Sequence, residues 1–69
     1  RKKIVSYLTE QSELMNSRDF SIDFDRQGMA DYLGADRSAL SAELSKMRKE
    51  GLLTFRKNNF ILKDAFFHK

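Results

Sequence analysis

The stretch MADYLGADRSALSAEL, residues 29–44, sets a glycine and two aspartates between two runs of helix-forming residues. In a chain of 69 residues, a break placed there constrains the architecture more than any other feature. Gly34 tolerates the left-handed backbone that ends a helix. Asp36, two residues on, offers its carboxylate to the free amides that open another helix. The chain therefore reads as one helix turning sharply into a second. That second run carries small side chains at Ser38, Ser41, Ala42 and Ser45, which give it a low-profile outer face.

The flanking sequence extends the pattern. Asp25 is an N-cap for the helix before the turn, with Phe24 and Met29 as its hydrophobic staple. Met29, Ala30 and Leu33 face inward. The helix after the turn runs from the Asp36 cap to about Glu50, with Ala35 and Leu40 as a second staple. Leu40, Leu44 and Met47 form its buried stripe, and Gly51 stops it. Upstream, residues 2–16 read as an amphipathic helix with Ile4, Val5, Leu8 and Met15 or Leu14 near one face. FSIDF, residues 20–24, alternates strictly, as a short half-buried strand does. Downstream, LLTFRKNNFIL alternates at Leu53 and Phe55 and again at Phe60 and Leu62. Asn58 and Asn59 tolerate positive torsions, so the segment reads as a β-hairpin with its turn at 57–59. The predicted fold is mainly α with a small β-hairpin (α+β), a winged helix-turn-helix. It forms a single domain over residues 1–69, with the helix-turn-helix at about 26–50 and the wing at about 52–63.

Composition narrows the function. Eight aromatic residues, six of them Phe, supply enough bulk for the core of a domain near the lower size limit. Cysteine is absent, which excludes disulfides and thiolate metal sites and is compatible with a reducing cytoplasm. No apolar run approaches a membrane span of roughly 18 residues. Opening on Arg1 rather than Met, the chain is expected to be a fragment of a longer protein. Its net charge of +3 is unevenly spread. Residues 37–57 hold six bases against two acids, +4, whereas residues 1–36 hold five bases against seven acids, −2. A polyanion is the partner such a cluster suits. No enzyme is expected: there is no Gly-rich phosphate loop, nucleophile elbow or metal-spaced cluster. His68 has no partner for metal or acid–base work, and Asp23 and Asp25 read as caps and surface charges.

Residues 26–53, RQGMADYLGADRSALSAELSKMRKEGLL, resemble the C-terminal DNA-binding domain of the Crp/Fnr family of bacterial transcription regulators. The shared pattern is Arg-Gln, an apolar-Ala pair, Tyr-Leu-Gly at the turn, then Arg, spaced leucine-like positions and Gly-Leu. With the hairpin, the resemblance covers about residues 20–62. It implies double-stranded DNA as partner, a palindromic operator, a homodimer in the full-length protein, and RNA polymerase as a candidate further partner. It also implies no cofactor in this segment, because a small-molecule effector would bind an N-terminal sensor domain. Carried over residue by residue, it places Arg26 and Gln27 on phosphates. Asp36, Arg37, Ser38, Ser41, Ala42 and Ser45 fall in the major groove, and Arg56, Lys57 and Asn58 on the backbone beside the wing. Family members place glutamate where this chain has Ser38 and arginine where it has Ala42. The family's usual half-site is therefore not assumed. Glu43 stands where an aliphatic residue is usual, at the edge of the buried stripe, its stem placed to pack while its carboxylate reaches solvent or pairs with Arg37 or Lys46.

The residues support that reading on their own chemistry. With Leu40, Leu44 and Met47 inward, the opposite side is Ser38, Ala42, Ser45 and Lys49, flanked by Ser41 and Lys46. Short side chains let a helix approach base edges, where serine hydroxyls donate or accept. The Arg37 fork suits guanine or two phosphate oxygens. Lys46 and Arg48 read as surface charges, and Tyr32 as a packing residue with a wet hydroxyl. The alternative function is a winged helix used for protein interaction or dimerisation. Its support is the aromatic tail AFFH, residues 65–68.

Overall fold

A computed structural model describes residues 1–67; His68 lies outside the described residues. The elements are α1 (Lys2–Met15), β1 (Asp19–Ser21), α2 (Arg26–Leu33), α3 (Arg37–Lys49), β2 (Leu53–Arg56), β3 (Asn59–Leu62) and α4 (Asp64–Phe67). This is the winged helix-turn-helix, with two features the sequence reading did not contain. The hairpin recruits β1, making a three-stranded antiparallel sheet in the order β1-β3-β2. A short fourth helix then follows β3.

Local chemistry fixes the turn between α2 and α3. Asp25 caps α2 by accepting from the Gly28 amide at 2.7 Å, and Asp36 caps α3 by accepting from Ala39 at 3.1 Å. Gly34 ends α2 at φ 68°, a left-handed torsion. Gly28 has a different reason to lack a side chain: a Cβ there would meet the Phe24 ring at 3.2 Å and the capping oxygen of Asp25 at 3.3 Å. Phe24 packs against the core as the predicted staple requires. Ala35 is exposed, so the second staple contributes little, and Leu40 is buried by the rest of the core.

One core joins all layers. Leu8 of α1, Met29 of α2, Leu40, Leu44 and Met47 of α3, Leu53 of β2 and Phe60 of β3 are fully buried. Phe60 sits in the central strand, its ring 6.3 Å from Phe20 and 5.8 Å from Phe55. No polar side chain is buried among the described residues.

Three expectations are corrected. On α1 the inward residues are Ile4, Tyr7 and Leu8, while Leu14 and Met15 are exposed, because the helix ends at Met15, beyond the core. The strand expected over residues 20–24 pairs only at Asp19–Ser21, although Phe20 and Ile22 face inward as expected. Its ladder runs out at the wing turn: the Ile22 amide still donates to the Asn58 carbonyl at 2.9 Å, but the Ile22 carbonyl accepts from the Asn58 side chain rather than its backbone, and Asp25 then caps α2. The hairpin has a two-residue turn, Lys57 and Asn58, and its positive φ of 56° falls on Lys57 rather than on an asparagine. The two asparagines use their side chains instead. Asn58 Nδ2 donates to the Ile22 carbonyl at 2.8 Å, and Asn59 Nδ2 donates to the Phe20 carbonyl at 3.1 Å. The wing is thereby stitched to β1.

The aromatic tail divides. Phe66 is core, and Phe67 lies with the Arg18 guanidinium 4.8 Å from its ring centroid. Arg18 also pairs with Asp64. The tail therefore does not present two free rings to a partner, although Phe67 stays exposed beside Arg18.

Candidate nucleic-acid interface

The rotation of α3 decides which residues can meet a partner. Burial of Leu40, Leu44 and Met47 turns Ser38, Ala42 and Lys49 outward, together with Arg37 and Lys46. Ser41 and Ser45 are half-buried on the flank. The helix also carries two acids, and both are occupied. Arg1 Nε donates to Glu43 at 2.5 Å, while its two terminal nitrogens donate to Glu50 at 2.9 and 3.0 Å. Seven residues apart, these glutamates share one side of the helix, where a single planar fork reaches both. The Glu43 carboxylate thus meets Arg1, rather than solvent, Arg37 or Lys46. These hydrogen bonds hold the Glu50 carboxyl below its ordinary pKa and raise that of Arg1. Among the described residues, the Arg37 side chain makes no ion pair or hydrogen bond. The acids have been drawn to the side facing α1, and the outward face keeps its cations.

The wing turn presents Arg56 and Lys57, both exposed. Lys57 holds a backbone conformation that glycine or asparagine adopts more cheaply.

Arg26 is half-buried and committed inside the domain. Its Nη2 donates to the Lys57 carbonyl at 2.7 Å, and its guanidinium lies 5.3 Å from the ring centroids of both Phe55 and Phe60. Burial first, and then the neighbouring charge of Arg37, lower its pKa. Arg26 thus reaches from the first residue of α2 to the carbonyl of the wing turn. Arg48, read as a surface charge, lies 4.3 Å from the Phe55 centroid. Phe55 therefore receives one guanidinium from each helix of the helix-turn-helix. The only sequence signal for this was an aromatic residue on a half-buried strand near two arginines.

The sequence-derived set accordingly divides. Arg37, Ser38, Ser41, Ala42 and Ser45 line α3, and Arg56 and Lys57 crown the wing. Arg26, Gln27, Asp36 and Asn58 have internal partners: the wing, Asp31 at 3.0 Å, the Ala39 amide and Ile22 respectively. Tyr32 packs its ring 5.4 Å from Tyr7 and 5.3 Å from Phe24 while remaining mostly exposed, as expected.

The profile of the Crp-like helix-turn-helix domain matches residues 2–65. The chain belongs to this family. Comparison with curated proteins and with solved structures gives no match. Membership of the Crp-like family makes DNA the partner class and transcription regulation the setting, in a family that is not enzymatic. Among the described residues, no helix is long and apolar enough to cross a membrane.

Proposed function

We propose that this Crp-like domain binds double-stranded DNA sequence-specifically, as the effector part of a dimeric bacterial regulator working in the cytoplasm. In this reading α3 enters the major groove, with Arg37, Ser38, Ser41, Ala42 and Ser45 toward base edges. Arg56 and Lys57 grip the phosphate backbone. A homodimer would read a palindromic operator, with RNA polymerase as a further partner. The observation that carries the reading is the outer face of α3, where small side chains are flanked by free cations and both acids are held away by Arg1. Such a helix approaches a polyanion closely without repulsion.

Selection from random duplexes, followed by titration at several salt concentrations, tests this. The expected result is an enriched motif whose affinity exceeds that for scrambled DNA and falls with salt. No enrichment, together with salt-insensitive binding, would overturn it.

A further inference from the structure

Resting on that DNA-binding reading, we propose that Arg26 positions the wing rather than gripping a phosphate, acting on DNA only through Lys57. Three contacts converge on its guanidinium: the hydrogen bond to the Lys57 carbonyl at 2.7 Å, and the faces of Phe55 and Phe60 at 5.3 Å each. A terminal nitrogen also points at the Met29 sulfur, 3.7 Å away. A guanidinium stacked on rings and bonded to a carbonyl is already desolvated and oriented. Swinging out to a phosphate would forfeit those contacts and leave the turn carbonyl of Lys57 without its donor.

The geometry shows what the wing gains. Lys57 sits at a positive φ of 56° in a two-residue turn. A lysine there is held in an uncommon torsion, and its carbonyl must find a donor or water. Arg26 supplies that donor from the first residue of α2, the helix that also fixes the start of α3 through Gly34. Arg48 reaches the same wing ring, Phe55, from the far end of α3 at 4.3 Å. The wing is therefore tied to both helices through one aromatic side chain. Arg26 is the tie that reaches the turn where the phosphate-binding charge sits.

A double-mutant cycle distinguishes a strut from a clamp, because a residue that works through Lys57 has nothing left to do once Lys57 is gone. The variants Arg26→Ala, Lys57→Ala and the double would be titrated, in the 69-residue chain, against a mixed-sequence duplex over a salt series. A strut gives three similar losses, each flattening the salt dependence by about one counterion. Multiplying losses, with the double variant flattened by about two counterions, would make Arg26 an independent clamp and overturn the proposal. Arg26→Lys is a second discriminator. Lysine binds a phosphate as a point charge but lacks the planar fork, so a strut variant should behave like Arg26→Ala and a clamp variant like the parent.

Hydrogen exchange at the Ile22 amide, which donates to the wing-turn carbonyl of Asn58 at 2.9 Å, needs no DNA. Arg26→Lys should speed exchange there while leaving that of Leu44 unchanged, and unchanged protection at Ile22 would overturn the strut. If the parent chain binds no duplex at all, the DNA reading fails on its own, and the exchange result still decides what Arg26 does to the wing.

Discussion

At the scale of single residues, the informative positions are those where the backbone limits the side chain. Gly34 has a φ of 68°, and a Cβ built on it would meet only Lys3 Nζ, at 3.9 Å. The space is open, so the cost of a side chain there is conformational. Gly34→Val should destabilise by on the order of 1–3 kcal/mol. For a domain of this size that lowers Tm by about 4–8 °C per kcal/mol. A thermal melt identical to the parent's would contradict the assignment of this turn. Lys57 poses the opposite case, a side chain where glycine is easier. Lys57→Gly should raise stability by up to about 1 kcal/mol while weakening binding to any duplex. Melting and DNA titration would then move in opposite directions; a joint fall would show that the torsion is not what limits the turn.

At the scale of elements, what was legible in the sequence was what is local. Both aspartate caps, the glycine turn and the stripe of α3 depend on contacts within a few residues, and all stand as read. The limits of the reading follow from distance along the chain. Arg1 meets Glu43 and Glu50 across 42 and 49 residues, so no helical periodicity could announce it. The joining of β1 to the hairpin depends on Asn58 and Asn59 side chains that resembled turn residues and serve as cross-strand donors. The outward faces of Ser38 and Arg37 were legible because helical phase alone sets them, whereas Ser45, expected on the same face, is half-buried on the flank. The role of Arg26 was not legible, since it needs the wing in place. The Arg1 contacts couple the start of α1 to α3 and carry a pH signature. Hydrogen bonding to Arg1 depresses the Glu50 pKa, so its contribution is present above the ordinary glutamate range and lost as pH falls through the depressed value. Arg1 stays protonated throughout. The Glu50→Gln variant should therefore show a shallower loss of Tm with acidification than the parent. Parallel acid limbs would show that the pair adds nothing, as many exposed pairs do.

For the whole molecule, size sets the binding regime. The longest principal extent is 27 Å, shorter than the 34–36 Å that separates half-sites one helical turn apart. One copy can engage one half-site, and the 69-residue chain should bind far more weakly than a dimer spanning two. Equal affinity of the lone domain for a single half-site and of the proposed dimer for a palindrome would contradict this. In the proposed reading, labour within one half-site is divided between α3, whose small side chains leave Arg37 as the candidate reader, and a wing that offers charge alone. The most direct test of that division is a titration of Arg37→Ala and Lys57→Ala on the selected site and on scrambled DNA, over several salt concentrations. Lys57→Ala is expected to weaken binding equally on every sequence and to flatten the salt dependence by about one counterion. Arg37→Ala is expected to lose about 1–3 kcal/mol of discrimination at one base pair. A uniform loss for Arg37→Ala with every base preference intact would contradict direct readout by this helix, make Arg37 a phosphate clamp, and leave specificity to the serines or to DNA deformability.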